Sequence, residues 1–220
     1  MGNLIAPCWL IISTHGLSST LLCSNTTLGV ILTTLAVYAT MYLIEKFDIR
    51  RFLHNSESET ITNLVGVSVR FQRLLRVPYL DQSVLSSYNL KSSIGRPPHK
   101  YVKEALLRCW PAEGLAEAYG MTQSGIMCIL HAHERSDKLD TVAQPIGDCD
   151  LKINDEHSNV LVQGEIFGYK SKMMRCYANR PEATQEASWY NKAGVRYQKA
   201  AISVGWMTRF FCIYWTAKKT

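Results

Sequence analysis

The sequence predicts an α/β fold: a partial helix-flanked β-sheet over residues 1–145, followed by a β-hairpin segment over residues 146–190. Three observations support this prediction. Short apolar runs alternate with stretches of helical spacing, prolines and glycines separate these stretches, and apolar residues make up 47% of the chain. After residue 145 apolar and polar residues alternate, which is typical of a half-buried strand. Residues 191–220 fit neither pattern and are left as an unassigned basic, aromatic tail.

Apolar spacing and turn residues place the elements of the first part. Residues 45–55 have helical spacing and carry Asp48 where a helix cap is expected. The strongest helix prediction begins at Pro97 and Pro98 and ends before Pro111, because proline is tolerated in the first turn and excluded from the interior. Its predicted buried face consists of Val102, Ala105, Leu106 and Cys109. The other elements predicted here are a strand at 61–69, a helix at 70–77, and strands at 114–119 and 125–132.

The second part predicts a hairpin and a short helix. Leu151 and Ile153 alternate with polar residues, a polar turn follows at 154–159, and an apolar run resumes at 160–162. The short helix begins in residues 179–189, where proline stands at a tolerated first-turn position.

The charge distribution excludes a chain-wide nucleic-acid surface. The formal net charge is +6, yet residues 191–220 alone hold six basic residues and no acidic one. The remaining 18 basic residues therefore balance the 18 acidic ones. We expect no nucleic-acid partner, because the excess charge belongs to the tail.

Residues 28–44 leave two alternatives open. This stretch of uncharged residues is at the lower limit of about 17 residues for spanning a bilayer. Its threonines and β-branched residues suit a buried helix followed by a strand equally well. The seven cysteines are odd in number and contain no CxxC pair, so we expect reduced thiols and a cytoplasmic location. His131 and His133 could reach a metal from one side of a strand, but no third ligand is close in sequence.

Three loop segments carry a family resemblance. Residues 117–125 read EAYGMTQSG, residues 92–100 read SSIGRPPHK, and residues 164–184 read GEIFGYKSKMMRCYANRPEAT. Taken in their order along the chain, 92–100, 117–125 and 164–184, they resemble the adenylate-forming (AMP-binding) superfamily, in its acyl-CoA synthetase or fatty-acid–CoA ligase branch. The sequence departs from the family pattern at Ile94, Arg96, Gln123, Lys170 and Cys176. We therefore identify it as resembling a truncated, diverged part of the large N-terminal domain of that family.

The resemblance implies a two-step ligase reaction. A carboxylate attacks the α-phosphate of ATP to give an acyl-adenylate and pyrophosphate, and the thiol of CoA then displaces AMP. The implied cofactors are ATP or AMP with Mg²⁺, and the implied co-substrate is CoA. The expected substrate is a small carboxylic acid, with a medium- or long-chain fatty acid as the favoured class.

The resemblance also implies the site residues. The cofactor-binding residues carried over by position are Gly95, Arg96, Pro97, Tyr119, Gly120 and Thr122. His15 and Met121 would belong to the substrate pocket. Gln123 stands where the family has the Mg²⁺-binding glutamate, so we expect Mg²⁺ binding to be weakened or lost because an amide carries no charge.

Several family segments have no counterpart, and no catalytic residue is identified. No Ser/Thr/Gly-rich phosphate loop occurs upstream, Phe211 stands where a ribose-binding aspartate belongs, and nothing resembles the small C-terminal domain. We expect the chain to be inactive by itself. The alternatives are a non-catalytic nucleotide-binding or scaffold protein, and a small membrane protein anchored through residues 28–44.

Overall fold

The computed structural model describes most of the chain in two compact units. The described residues are 14–20, 22–78, 80, 85–95, 98–110, 113–141, 144–154, 163–206 and 213–215. The first unit comprises Met1–Ala118 and His131–Asp140, and the second comprises Tyr119–Leu130 and Thr141–Thr220. The boundary between the units therefore falls within two strands of the chain.

The first unit contains a parallel sheet. Its strands are β1 (His15–Ser18), β2 (Thr40–Leu43), β3 (Asn63–Gly66), β4 (Leu90–Ile94) and the first part of β5 (Leu115–Met121). Their order is β2-β1-β3-β4-β5, and each neighbouring pair is parallel. Parallel neighbours need crossover connections, which helices supply. The helices are α1 (Asn25–Ala36), α2 (Ile49–Ser58), α3 (Ser68–Leu74) and α4 (Lys100–Cys109). This arrangement confirms the predicted α/β class.

Residues 28–44 form most of a helix followed by a strand, which is the second of the two alternatives that the sequence left open for this stretch. Ser24 caps α1 by accepting a hydrogen bond from the Thr27 N–H, and β2 begins at Thr40 after a short turn. Within the described part of the chain, no helix is long and apolar enough to cross a membrane. The expectation of a buried helix needs correction, because Leu28, Leu32 and Leu35 are 45–58% exposed along one face of α1.

The predicted cap of α2 is confirmed. The Asp48 carboxylate accepts a hydrogen bond from the Arg51 N–H at 2.8 Å, which satisfies one of the helix's unpaired donors. The strand predicted at 61–69 is shorter than expected and ends at Gly66. Helical spacing already begins at Ser68, since Phe71 and Leu74 are buried on the inner face of α3.

The core of the first unit is apolar and partly aromatic. Trp110 lies against Tyr88 and Phe71, with ring centroids 5.1 and 6.3 Å apart. The buried Tyr88 hydroxyl is 2.6 Å from the Ser56 Oγ, so its polar end is satisfied. The predicted face of α4 is partly correct: Val102 and Leu106 are buried, Ala105 and Cys109 are half-buried, and Lys103 is buried instead.

The second unit is antiparallel. Its strands are the end of β5, most of β6 (Gly125–His131), β7 (Gln144–Pro145), β8 (Asp150–Asn154), β9 (Gln163–Tyr169), β10 (Ser188–Tyr190), β11 (Arg196–Trp206) and β12 (Ile213–Trp215). The predicted hairpin is confirmed by the pairing of β8 with β9. Its second strand begins at Gln163, and the predicted run at 160–162 lies outside the described residues.

The chain after residue 186 adds strands to this second sheet. The helix predicted at 179–189 is the shorter α5 (Pro181–Glu186), which β10 follows. The sheet order is β10-β11-β9-β8, with β12 paired to β11. The tail that the sequence left unassigned therefore contains β11 and β12 in its described part, and β11 pairs with β9 across a register shift between Lys199 and Ser203.

Candidate functional site

Gly95 is placed where a ligand could approach bare backbone. It follows the last residue of β4, is exposed, and has φ +93°, a conformation that favours glycine. A Cβ added there would meet no atom within 4 Å, so open space lies beside this backbone. The neighbouring predicted residues, Arg96 and Pro97, lie outside the described residues.

Tyr119 is buried among apolar side chains of the second unit. It is 4% exposed and belongs to a cluster with Met127, Cys128, Ile153 and others. Burial raises the pKa of its hydroxyl. The ring therefore contributes to the core of this unit, which is the structural role that a tyrosine at a strand end can have without any ligand.

Gly120 has a packing reason to be glycine. A Cβ at this position would overlap the carbonyl of Gly125 and the backbone of Ile126. The turn between β5 and β6 brings these backbones together, and only glycine permits the approach. Met121, predicted for the substrate pocket, is half-buried against the same apolar cluster that contains Tyr119.

The turn at 122–124 leaves the Thr122 side chain exposed and holds the Gln123 side-chain amide in a hydrogen bond. Thr122 is exposed, so its hydroxyl can donate to a phosphate oxygen. The Gln123 side-chain Nε2 donates to the Tyr177 hydroxyl at 2.7 Å, and the Gln123 carbonyl accepts from the Met174 N–H at 2.6 Å. Gln123 thus connects the turn to the segment at 174–177.

Sequence reasoning missed Tyr177 as the partner of Gln123. The two residues are 54 positions apart in the sequence. The one signal in the sequence is the neutral amide at position 123, which suits a hydrogen-bond partner better than a cation. Lys170, which departs from the family glycine, donates from Nζ to the Ile126 carbonyl at 2.8 Å. Both departures therefore tie the segment after β9 to the β5–β6 hairpin within the second unit.

His15 lies at the amino end of β1. Its Nδ1 is 2.6 Å from the Glu59 carbonyl oxygen, and its ring is 5.8 Å from the Tyr42 ring in an edge-on arrangement. Ligands of parallel sheets bind beyond the opposite, carboxyl end of the strands. This placement favours a structural role for the histidine, and its membership of a substrate pocket stays a prediction.

A buried ion pair lies under β4 and β5 of the first unit. Lys103 on α4 contacts the carboxylate of Glu117 on β5, and the side chains are 3% and 5% exposed. Glu117 is paired in register with Ser93 of β4. Burial raises the pKa of the Glu117 carboxyl, and the charge of Lys103 opposes that rise. The pair holds α4 against β5, and Glu117 precedes Tyr119 by two positions in that strand.

The described residues do not form a metal site. No group of three or more His, Cys, Asp or Glu side chains within them could hold a metal ion. The ring centroids of His131 and His133 are 6.5 Å apart. Among the described residues, no third side chain joins them in a group that could hold a metal ion. Five described cysteines are free thiols: Cys23, Cys109, Cys128, Cys149 and Cys176.

Solved structures of other proteins share the fold of this chain. The amide bond synthetase McbA from Marinactinospora thermotolerans superimposes with a TM-score of 0.81 over 93% of this chain and 41% of its own, at 21% identity. ATP-bound MatB from Rhodopseudomonas palustris gives a TM-score of 0.80 over 93% of this chain and 40% of its own, at 18% identity. At these identities the similarity shows a shared α/β fold.

The sequence comparison shows the family. The model of the AMP-binding enzyme family matches residues 17–178, and the chain belongs to this family. It is 29% identical over 164 residues to 4-coumarate–CoA ligase 1 of Solanum tuberosum, covering 71% of this chain and 30% of the relative. It is 27% identical over 176 residues to luciferin 4-monooxygenase of Luciola mingrelica, covering 75% of this chain and 32% of the relative. The chain thus spans about a third of the length of these relatives.

Proposed function

We propose that this chain is the nucleotide-binding part of an acyl-CoA synthetase-like protein that activates a carboxylic acid as its acyl-adenylate. The observation that carries the proposal is the family match over residues 17–178, which includes both Gly95 and Thr122. These two residues have the exposure that contact with a nucleotide requires. The binding residues lie within residues 1–145, which we propose as the nucleotide-binding region.

Each of these two residues has a proposed task of its own in nucleotide binding. The Gly95 backbone has open space beside it, so a flat purine can approach without meeting a side chain. The Thr122 hydroxyl is free to donate to the α-phosphate. When bound, ATP supplies the activated phosphorus that turns a carboxylate into an acylating agent. The chain's own contribution is to hold and orient that nucleotide.

The residues present do not fit a family-type Mg²⁺ site at position 123. Magnesium prefers carboxylate and phosphate oxygens, and Gln123 provides a neutral amide whose nitrogen is committed to Tyr177. We therefore assign no step to a metal held by this residue.

A fatty acid is the proposed substrate class, and an aromatic acid is its alternative. The fatty-acid proposal rests on the sequence resemblance to fatty-acid ligases, whereas the names of several relatives refer to 4-coumarate. Parallel assays with a long-chain fatty acid and with 4-coumarate would separate the two classes. The reduced cysteines support a proposed cytoplasmic location.

A second candidate is a non-catalytic nucleotide-binding or scaffold protein. The specific observation in its favour is the neutral, hydrogen-bonded Gln123 at the family's metal-binding position. ATP–pyrophosphate exchange driven by added carboxylic acid measures the difference. We expect no exchange by this chain alone; exchange above the background of a protein-free control would reject the non-catalytic alternative.

The nucleotide site itself is tested by isothermal titration with AMP. We expect Thr122→Ala to weaken AMP binding by roughly 10- to 100-fold, because one hydrogen bond to a charged phosphate contributes roughly 1.5–3 kcal/mol. Thr40→Ala is the matched control, since this exposed threonine lies in β2 and outside the proposed site. Equal affinity of the two variants, or absence of AMP binding by the parent chain, would contradict the proposal.

A further inference from the structure

The strand β2 presents an open edge to its surroundings. Among the described residues it pairs with β1 on one side and with no strand on the other, and its register with β1 is regular throughout. The Thr40 and Ile44 N–H groups donate to carbonyls on the β1 side at 3.1 and 2.9 Å. Because alternate residues of a strand face opposite ways, the N–H and C=O groups of Met41 and Leu43 point away from β1.

This edge lacks the features that ordinarily protect an exposed strand. Charged side chains, proline and bulges are the devices that keep an edge from pairing with another chain. The sequence of β2 is Thr-Met-Tyr-Leu, its register has no bulge, and residues 24–44 contain no charged side chain. The whole chain carries a formal charge of +6, so a neutral stretch lets two copies approach here with little repulsion.

The helix beside this edge has its polar and apolar sides reversed. α1 packs against β1, β2 and β3, and it buries the polar side chains of Thr27 and Thr34. Its exposed leucines are Leu28, Leu32 and Leu35. A surface helix ordinarily turns its apolar side to the core. The reversal therefore indicates that another apolar surface covers the outer side of α1.

We propose that two copies of this chain join through β2, which pairs antiparallel with β2 of the second copy about a two-fold axis beside Tyr42. The outward groups of Met41 then bond to those of Leu43 in the second copy, and the reverse pair forms by symmetry. The edge is thus complementary to itself. Antiparallel neighbours need no crossover connection, so separate chains can build one continuous sheet in this way.

The same axis accounts for the reversed helix. It runs perpendicular to the joined sheet, so both copies of α1 lie on the same face of that sheet. Strands are ~4.8 Å apart, and a helix with its side chains is ~10–12 Å across. Since α1 covers the strands next to the axis, the two helices are neighbours, and each leucine stripe gains an apolar surface to pack against.

A second copy fits this surface better than a lipid bilayer does. Helices that lie in a membrane interface carry Lys or Arg on their polar face, and α1 contains no charged residue. Leu28, Leu32 and Leu35 recur at i, i+4 and i+7, which is a narrow stripe of the kind that packs against another helix.

Sedimentation equilibrium and amide hydrogen exchange test the proposal on the intact chain. We expect a monomer–dimer equilibrium, in which the Met41 and Leu43 amides exchange about tenfold or more slowly in concentrated than in dilute solution. The Tyr42 amide points toward β1 and is the internal control. It should stay protected in dilute solution, where the amides of its two neighbours lose their protection.

A proline at the edge tests the same pairing by mutation. Leu43→Pro removes an outward N–H and should raise the dimer dissociation constant by about tenfold or more, since a hydrogen bond is lost on each side of the axis. Leu43→Val keeps the N–H and an apolar side chain, so this matched control should dimerise like the parent. Circular dichroism shows whether each variant is folded, and the exchange experiment on the parent needs no variant.

Four results would overturn the proposal. The parent chain could remain monomeric up to about 1 mM, a concentration that detects even weak association. It could dimerise while the Met41 and Leu43 amides stay unprotected, which would place the contact elsewhere. Folded Leu43→Pro and Leu43→Val could dimerise equally, which would show that the outward N–H is unused. A monomer that instead sediments with phosphatidylcholine vesicles would assign the leucines of α1 to lipid.

Discussion

Lys103 and Glu117 show how much a single pair of residues can determine in this fold. Both side chains are almost fully buried, and the Lys103 charge offsets part of the cost of burying the Glu117 carboxylate. Removing one partner of a buried pair leaves an uncompensated charge, whereas replacing both by neutral groups is often tolerated. The pair is therefore a specific test of the packing between α4 and β5.

We predict that Lys103→Met lowers the free energy of unfolding by about 3 kcal/mol at a pH above the raised pKa of Glu117, because the ionised carboxylate is left buried without the Lys103 charge. Lys103→Met/Glu117→Gln should recover most of this loss. Urea denaturation of both variants and the parent measures it. A double variant as unstable as the sum of the single variants would show that the two charges do not compensate each other.

The same pair predicts a pH dependence. Burial raises the pKa of Glu117 above its ordinary value of 4.5, so the folded chain holds this proton more tightly than the unfolded chain. Its contribution to stability is therefore full below pH 4.5 and decreases as the pH rises through the raised value. Glu117→Gln should lack this component, and urea midpoints collected across the pH range measure it. Parallel pH profiles of parent and variant would contradict the assignment.

At the residue scale the sequence predicts contacts between residues that are a few positions apart. Asp48 was predicted as a cap because its acceptor and the helix N–H groups lie within three positions. The hydrogen bond between Gln123 and Tyr177 could not be predicted, because nothing in a 54-residue separation fixes which turn returns to the amide. Lys103 was missed as a buried residue because a basic side chain on a helix is ordinarily exposed.

At the scale of elements, the β5–β6 hairpin depends on the close approach at Gly120. A Cβ there would overlap the Gly125 carbonyl, while a Cβ at Gly66 of β3 would meet only the Phe71 ring at 3.6 Å, an ordinary contact. Two strand glycines in one chain thus provide a matched comparison.

We predict that Gly120→Ala destabilises the protein by about 1–3 kcal/mol, because the added carbon forces the two backbones apart. Gly66→Ala should change the free energy of unfolding by less than about 1 kcal/mol. Thermal and urea unfolding of both variants provide the comparison. A Gly120→Ala variant as stable as the Gly66→Ala variant would show that the hairpin can open at this position without cost.

Most elements of the first unit followed from the sequence, whereas the tail did not. Helical spacing and proline positions are local signals, and they located α2 and α4 within a few residues. The strand predicted at 61–69 was too long, since β-branched residues continue into α3 and do not mark where a crossover begins. The strand β11 was missed because its pairing with β9 is set by distant register and contains an irregularity.

At the scale of the whole molecule, the part of the chain that the structure describes has an exposed apolar face on α1. Leu28, Leu32 and Leu35 are spaced at i, i+4 and i+7, and the exposed Tyr38 follows just beyond the helix. Contiguous apolar patches on a protein surface mark interaction sites or cause association.

We predict that the chain associates with increasing concentration, and that Leu32→Gln/Leu35→Gln reduces this association. Val69→Gln/Tyr101→Gln is the matched control, since these exposed apolar residues belong to α3 and α4 and lie off the stripe. Sedimentation velocity over a range of concentrations measures the effect. Identical sedimentation of the two double variants would show that the α1 face is not the contact.

The strand order β2-β1-β3 also has a consequence for synthesis on the ribosome. Strand β1 pairs with β3. Beside this pairing the Thr62 hydroxyl accepts a hydrogen bond from the His15 N–H, and these two residues are 47 positions apart in the sequence. While the nascent chain lacks β3, one side of β1 presents unsatisfied donors and acceptors to its surroundings. A pause in translation before residue 63 would therefore leave an open edge to which another nascent chain can pair, and chaperone dependence should peak at that length.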